Sequence, residues 1–238
     1  MTIQQTSLLN DENIRFALQV IKSGQQISFQ ALRLIHFVIY KIICNEKDFQ
    51  TYSGSVTELA SYFNIPRNNI YRDIDELSSQ LHSCVLYLGT DDPRKKWKTI
   101  TWLSKSMYDG KGTVLIKLSQ SMIPYVKGIK ELFSEEFFQT IMKFHSRYSI
   151  RLYEILCADY YFTRSKKLTY SIEELRKYLG CENKYALYKD FKKRVIDVGI
   201  QDINENNKNF FITPTAKKKG RKVSVFVFEL SERRITSK

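Results

Sequence analysis

One stretch of this chain occurs twice. Residues 55–74 read SVTELASYFNIPRNNIYRDI, and residues 171–191 read SIEELRKYLGCENKYALYKDF. Ser55, Glu58, Leu59 and Tyr62 match Ser171, Glu174, Leu175 and Tyr178. After one extra residue, Tyr71-Arg72-Asp73-Ile74 matches Tyr188-Lys189-Asp190-Phe191. An internal repeat constrains the fold more than composition does, because each copy must be one supersecondary unit. Each copy opens with S-x-x-E, in which Ser caps free backbone N–H groups and Glu reaches back to the cap. Each then breaks, at Pro66 or at Gly180, and starts a second helix.

The flanks correspond as well. LRLIHFVIYKII and IRLYEILCADYY are apolar helices just upstream of the two copies. Strand-like segments follow: CVLYLG paired with WKTITWLS, then TVLIKLS, in the first half, and NFFITPT paired with RKVSVFVFEL in the second. Helix, helix, turn, helix and β-hairpin, used twice, describe an α+β chain of two tandem winged helix-turn-helix domains. Their expected extents are 1–138 and 139–238.

The second helix of each copy has two faces. In the first copy Ile70, Ile74, Leu77 and Leu81 form a core stripe, while Asn68, Tyr71, Arg72 and Asp75 point outward. In the second, Leu187, Phe191, Val195 and Val198 form the expected stripe, and Tyr185, Lys189, Lys192 and Lys193 point away from it. This is the helix that enters the DNA major groove in such a motif. Candidate DNA contacts are therefore Arg67, Asn68, Tyr71 and Arg72 in the first copy. In the second they are Lys184, Tyr185, Lys189, Lys192, Lys193 and Arg194. The run KKKGRK adds Lys217, Lys218, Lys219, Arg221 and Lys222 around Gly220. A hairpin tip carrying five cations suits a wing laid along phosphates or into the minor groove.

Charge agrees with that placement. The net charge is +13, which favours a polyanionic partner. Residues 1–138 carry 16 basic against 14 acidic side chains, and residues 139–238 carry 22 against 11. The second half is thus the expected main electrostatic contact, and Asp73 and Asp75 weaken the case for phosphate binding by the first recognition helix. The four cysteines, Cys44, Cys84, Cys157 and Cys181, are far apart and form no CxxC pair. They read as reduced thiols of a cytoplasmic protein, with no disulfide framework and no zinc site. No apolar run reaches the ~18 residues of a membrane span, and the N-terminus has no signal-peptide pattern.

These residues resemble the initiator replication proteins of iteron-containing bacterial plasmids. The likeness covers about residues 10–230 and is stronger in the second half, YSIRLYEILCADYY to KKKGRKVSVFVFEL. In the first half it rests on LRLIHFVIYKI, SVTELASYFNIPRNNIYRDIDEL and KLSQSMIPYVKGIKELFSEEF. The resemblance implies double-stranded origin DNA with direct repeats as ligand and no cofactor. It also implies a dimer that represses its own gene, in equilibrium with a monomer that initiates replication. The first domain would supply the dimer interface and the second the tighter DNA grip. Host replication-initiation and helicase proteins would be partners, and no membrane is involved.

Enzyme readings find little support. Nicking initiators use a tyrosine with metal-binding histidines spaced His-x-His, whereas His36, His82 and His145 are scattered. Tyr160-Tyr161 could mimic a nicking pair, but the chain has 15 tyrosines. There is no GxxxxGK[ST] phosphate loop. His36 reads as a core or boundary residue, and Trp97 and Trp102 as strand residues that pack. The rival class is a tandem winged-helix transcription regulator with no replication role.

Overall fold

The computed structural model describes residues 11–45, 48–89, 94, 96–220 and 222–233. Arg221 and the side chains of Arg67, Lys219 and Lys222 lie outside that description. The chain forms two compact units. One holds residues 11–20 and 25–138, and the other holds 21–24 and the chain from Gln139 onward.

The first unit begins with α1 (Glu12–Ile21), all but its last residue, and α2 (Phe29–Asn45). The latter is buried nearly all round through Leu32, Leu34, Ile35, Val38, Ile39 and Ile42, so it is the central core helix. Strand β1 (Thr51–Ser55) leads into α3 (Val56–Phe63), and α4 (Arg67–Ser83) follows. Ile70, Ile74, Leu77 and Leu81 are all buried, as their spacing requires. Four further strands are β2 (Val85–Leu88), β3 (Lys98–Thr101), β4 (Leu103–Tyr108) and β5 (Thr113–Leu118). They do not make one hairpin series. β2 and β3 form a separate antiparallel pair, and β1, β5 and β4 form a second antiparallel sheet in that order. The separation falls at Trp102, which is buried edge-on against Tyr125 and splits WKTITWLS into two strands. Trp97 departs from its expected packing: it is 56% exposed just ahead of β3 and stacks on Tyr87 at 6.0 Å. A 3₁₀ turn (Gln120–Met122) and α5 (Ile123–Leu132) complete this unit, and α6 (Glu135–Ile141) crosses its boundary. His36 is a core residue, as expected, with Nδ1 2.7 Å from the Leu32 carbonyl.

The second unit is built from α7 (Arg147–Thr163), β6 (Lys167–Ser171) and α8 (Ile172–Tyr178), then α9 (Tyr188–Phe191). A π-helical turn (Lys192–Asp197) joins α9 to α10 (Val198–Asn206) without a break. Strands β7 (Phe210–Lys219) and β8 (Lys222–Glu232) form the wing, in a sheet ordered β6-β8-β7. Pro214 is tolerated because β7 is the edge strand, where its missing N–H leaves no ladder bond unmade. Two members of the expected core stripe are not in the core: Leu187 is 68% and Val198 44% exposed. Leu187 only caps α9. The π turn inserts an extra residue, so burial runs through Phe191, Val195, Ile196, Ile200 and Ile203 instead.

The repeat is real but diverged. In each unit a short strand ends on the serine that caps the next helix, Ser55 or Ser171. Only the second copy closes the reciprocal box: Ser171 Oγ accepts from Glu174 N at 3.1 Å, and Glu174 accepts from Ser171 N at 2.8 Å. In the first, Ser55 accepts from Glu58 N, but the Glu58 carboxylate turns instead to Tyr52 and Lys41.

Candidate nucleic-acid interface

Each unit presents a second helix whose inner face is buried and whose outer face is polar. In the first unit the connection is short. Asn64 ends α3 in the left-handed region at φ 55°, and Pro66 starts α4. Asn68 and Arg72 are exposed and Tyr71 is half-buried, its ring 5.3 Å from that of Tyr108. Arg72 Nε lies 3.1 Å from Asp73 Oδ1, so part of its charge is matched locally. Among the described residues this face carries charges of both signs.

The second unit differs. Lys189, Lys193 and Arg194 are exposed and make no ion pair among the described residues. Lys192 instead holds both carboxylate oxygens of Asp197, at 2.7 and 2.8 Å. Tyr188 anchors the helix start by stacking on Phe226 at 6.2 Å, and burial raises its hydroxyl pKa. Phe191 is fully buried beneath the same turn.

Lys184 and Tyr185 are not on this helix, contrary to the expectation that Tyr185 lies on its outward face. They belong to a loop between Tyr178 and Tyr188, in which Tyr185 takes φ 54° and Gly180 φ 60°. Lys184 is exposed and Tyr185 half-buried, with its hydroxyl 3.5 Å from that of Tyr148. The left-handed backbone at Tyr185 stops the helix from starting earlier. Two arginines that sequence reasoning passes over are turned inward. Arg147 approaches the Leu179 carbonyl at 3.5 Å, and Arg176 donates to the carbonyls of Lys184 and Tyr185. Their neighbours in sequence carry no signal for this, because it depends on the loop.

The wing is a long two-stranded arm. Lys217 and Lys218 are exposed near its tip, and a register irregularity falls between them. Such a bulge increases local twist. Gly220 sits at φ 65° with open space around it, which makes the turn available without a steric cost.

The three histidines serve separate structures: His36 inside α2, His82 against Ser106 Oγ at 3.1 Å, and His145 against Asp202 at 3.1 Å. Among the described residues no group of three His, Cys, Asp or Glu side chains is placed to hold a metal ion. Nor is any described helix long and apolar enough to cross a membrane.

Two family models match the chain. One, described as the initiator replication protein WH1 domain, matches residues 14–157, and the other, the initiator Rep protein WH2 domain, matches 171–230. Solved structures with the same architecture include the Pi initiator protein, crystallised in complex with iteron DNA. That chain is 19% identical, with a TM-score of 0.65 over 94% of this chain and 96% of its own. Domains 2 and 3 of RctB are 12% identical, with a TM-score of 0.54 over 88% of this chain and 84% of theirs. The tandem winged-helix fold is common to all of them, and the family models span both units: the chain belongs to the initiator replication protein family.

Proposed function

We propose that this protein binds repeated double-stranded sites at a plasmid origin and so starts replication. The observation that carries the reading is the second unit's exposed cations, Lys184, Lys189, Lys193 and Arg194 beside Lys217 and Lys218 on the wing. A recognition helix reads base edges, and a basic wing holds the backbone. The similarity to an initiator crystallised with iteron DNA supports the choice of ligand. The charge excess in 139–238 supports a division in which the second unit grips DNA more tightly.

Self-association would fall to the first unit. It exposes Val85 and Tyr87 on β2, Trp97 just ahead of β3, and Met107 and Tyr108 on β4. Large apolar side chains left exposed are the ordinary marks of a protein interface. A dimer formed there represses the protein's own gene, and the monomer works at the origin with host initiation and helicase proteins in a bacterial cytoplasm. The protein acts by binding, not as a nuclease; purified protein with supercoiled origin DNA and a divalent metal should leave the DNA unnicked.

The test is selection from a randomised duplex pool with the full chain. The recovered sequence should recur as direct repeats in the DNA flanking the gene, with a period of ~20 base pairs, about two helical turns. A plasmid carrying the gene and those repeats but no other origin should replicate. Recovery of a single unrepeated site, with no replication, would make the protein a transcription regulator instead.

A further inference from the structure

We propose that Arg176 is a positioning residue for DNA recognition, holding the loop that presents Lys184 and Tyr185 ahead of the recognition helix. The inference rests on the DNA-binding reading above and concerns how that site is shaped.

The two copies of the repeat start their second helices at different places. In the first, α4 begins at Arg67, so Tyr71 lies one turn inside it. In the second, the matching Tyr188 is the first helical residue. The turn of chain ahead of Tyr188 is therefore a loop, at the end of the helix where base edges are usually reached. A loop there loses the helical partners of its carbonyl groups, and those groups need others.

Arg176 supplies them. From α8, its Nη1 donates to the Lys184 carbonyl at 2.7 Å and its Nη2 to the Tyr185 carbonyl at 2.6 Å. The guanidinium lies 4.5 Å from the ring centroid of Phe191, which is fully buried, so its plane is fixed from below. Both terminal nitrogens are thus committed to the loop, and the side chain is not aimed at a phosphate.

Tyr185 gives independent evidence that the loop shape is held. A bulky residue at φ 54° is strained, and such backbone persists only where its surroundings over-determine it. Glycine would adopt this φ at no cost. A tyrosine here keeps a side chain at the surface, beside Tyr148, where a glycine would leave none. Arg176 and Tyr185 together therefore convert the first turn of an ordinary recognition helix into a fixed two-residue presentation.

A fork of two parallel donors is specific to arginine, because lysine offers a single point charge. This separates positioning from phosphate binding. The experiment measures fluorescence anisotropy of the full chain on the selected duplex and on a scrambled one, from low to moderate salt, with thermal midpoints recorded for every variant. Arg176→Lys and Arg176→Gln should each weaken binding to the selected duplex about tenfold, as removal of one base contact does. Their salt slopes should match wild type. Lys184→Ala should weaken binding in wild type but have little further effect with Arg176→Lys.

Tyr185→Asn is the variant that folds by design, since asparagine tolerates the left-handed region. It should keep the wild-type midpoint and still bind the selected duplex less tightly. The role of Arg176 is overturned if Arg176→Lys binds like wild type while Arg176→Gln flattens the log–log salt slope by about 0.9, the mark of one phosphate no longer neutralised. It is overturned as well if the Lys184 and Arg176 effects simply add, or if Tyr185→Asn leaves binding unchanged. A wild-type chain that does not distinguish the two duplexes contradicts the DNA reading itself.

Discussion

Tyr52 donates its hydroxyl to the Glu58 carboxylate at 2.8 Å, and this bond takes Glu58 away from the helix cap its sequence position suggests. Lys41 Nζ meets the other carboxylate oxygen at 2.7 Å. Burial alone would raise the Glu58 pKa. The hydrogen bonds from Lys41 and Tyr52, with the Lys41 charge, outweigh it and hold the carboxyl below the usual glutamate range.

A carboxyl with a depressed folded pKa adds stability above its unfolded pKa of about 4.3 and loses it as pH falls through the folded value. Wild type should therefore be more stable than Glu58→Gln at neutral pH. The gap should close as pH drops below about 4.3. Thermal unfolding followed from pH 7 downward checks it; a gap that stays constant with pH would show that the charge of Glu58 is not what stabilises the unit.

Arg151 and Glu154 form a buried ion pair in the second unit, at 2.6 Å, with both side chains almost fully covered. Arg151 also donates to the carbonyls of Ile21, Ser23 and Tyr178. Arg151→Met removes the cation that faces the buried Glu154 carboxylate, along with the carbonyl contacts, so it should cost about 3–5 kcal/mol in urea unfolding. The double variant with Glu154→Leu should cost less than the two single substitutions summed.

Gly128 lies in α5, where alanine would ordinarily be preferred by about 1 kcal/mol. Here a Cβ would penetrate the Asn13 carbonyl of α1 and press on Ala17. Gly128→Ala should thus destabilise the protein, by about 1–3 kcal/mol, the usual range for overpacking. A stabilised variant would mean that α1 and α5 separate easily.

Much of this fold is legible in the sequence because the repeat carries its own punctuation. Ser55 and Ser171 mark helix starts, and the stripe Ile70, Ile74, Leu77 and Leu81 gives the correct buried face of α4. The second recognition helix misleads for two physical reasons. Periodicity assumes 3.6 residues per turn, and the π turn at 192–197 breaks that phase, so Leu187 and Val198 match a core stripe they do not enter. The helix starts at Tyr188 behind a loop in which Tyr185 is left-handed and Arg176 holds the Lys184 and Tyr185 carbonyls, an arrangement that no local pattern encodes. Strands β1 and β6 leave no clear trace in the sequence because each is short and gains its partner from a distant strand, β5 or β8.

The recognition helix and the wing should fail differently. Lys189→Ala or Lys193→Ala should cost about 1–3 kcal/mol on the selected duplex where either touches a base, and less on scrambled DNA. Replacing Lys217 and Lys218 should weaken both duplexes alike and flatten the log–log salt slope by about 0.9 for each phosphate no longer neutralised. Selective weakening by the wing variant, with uniform weakening by the helix variants, would reverse the two roles.

Sequence-specific binding of double-stranded DNA is tested by a salt titration of the full chain on selected and scrambled duplexes of equal length. Binding to the selected duplex should be about a thousandfold tighter or more. Affinity for both should fall steeply with salt, reflecting several neutralised phosphates. Equal affinity for the two duplexes, or an affinity that salt leaves unchanged, would contradict it.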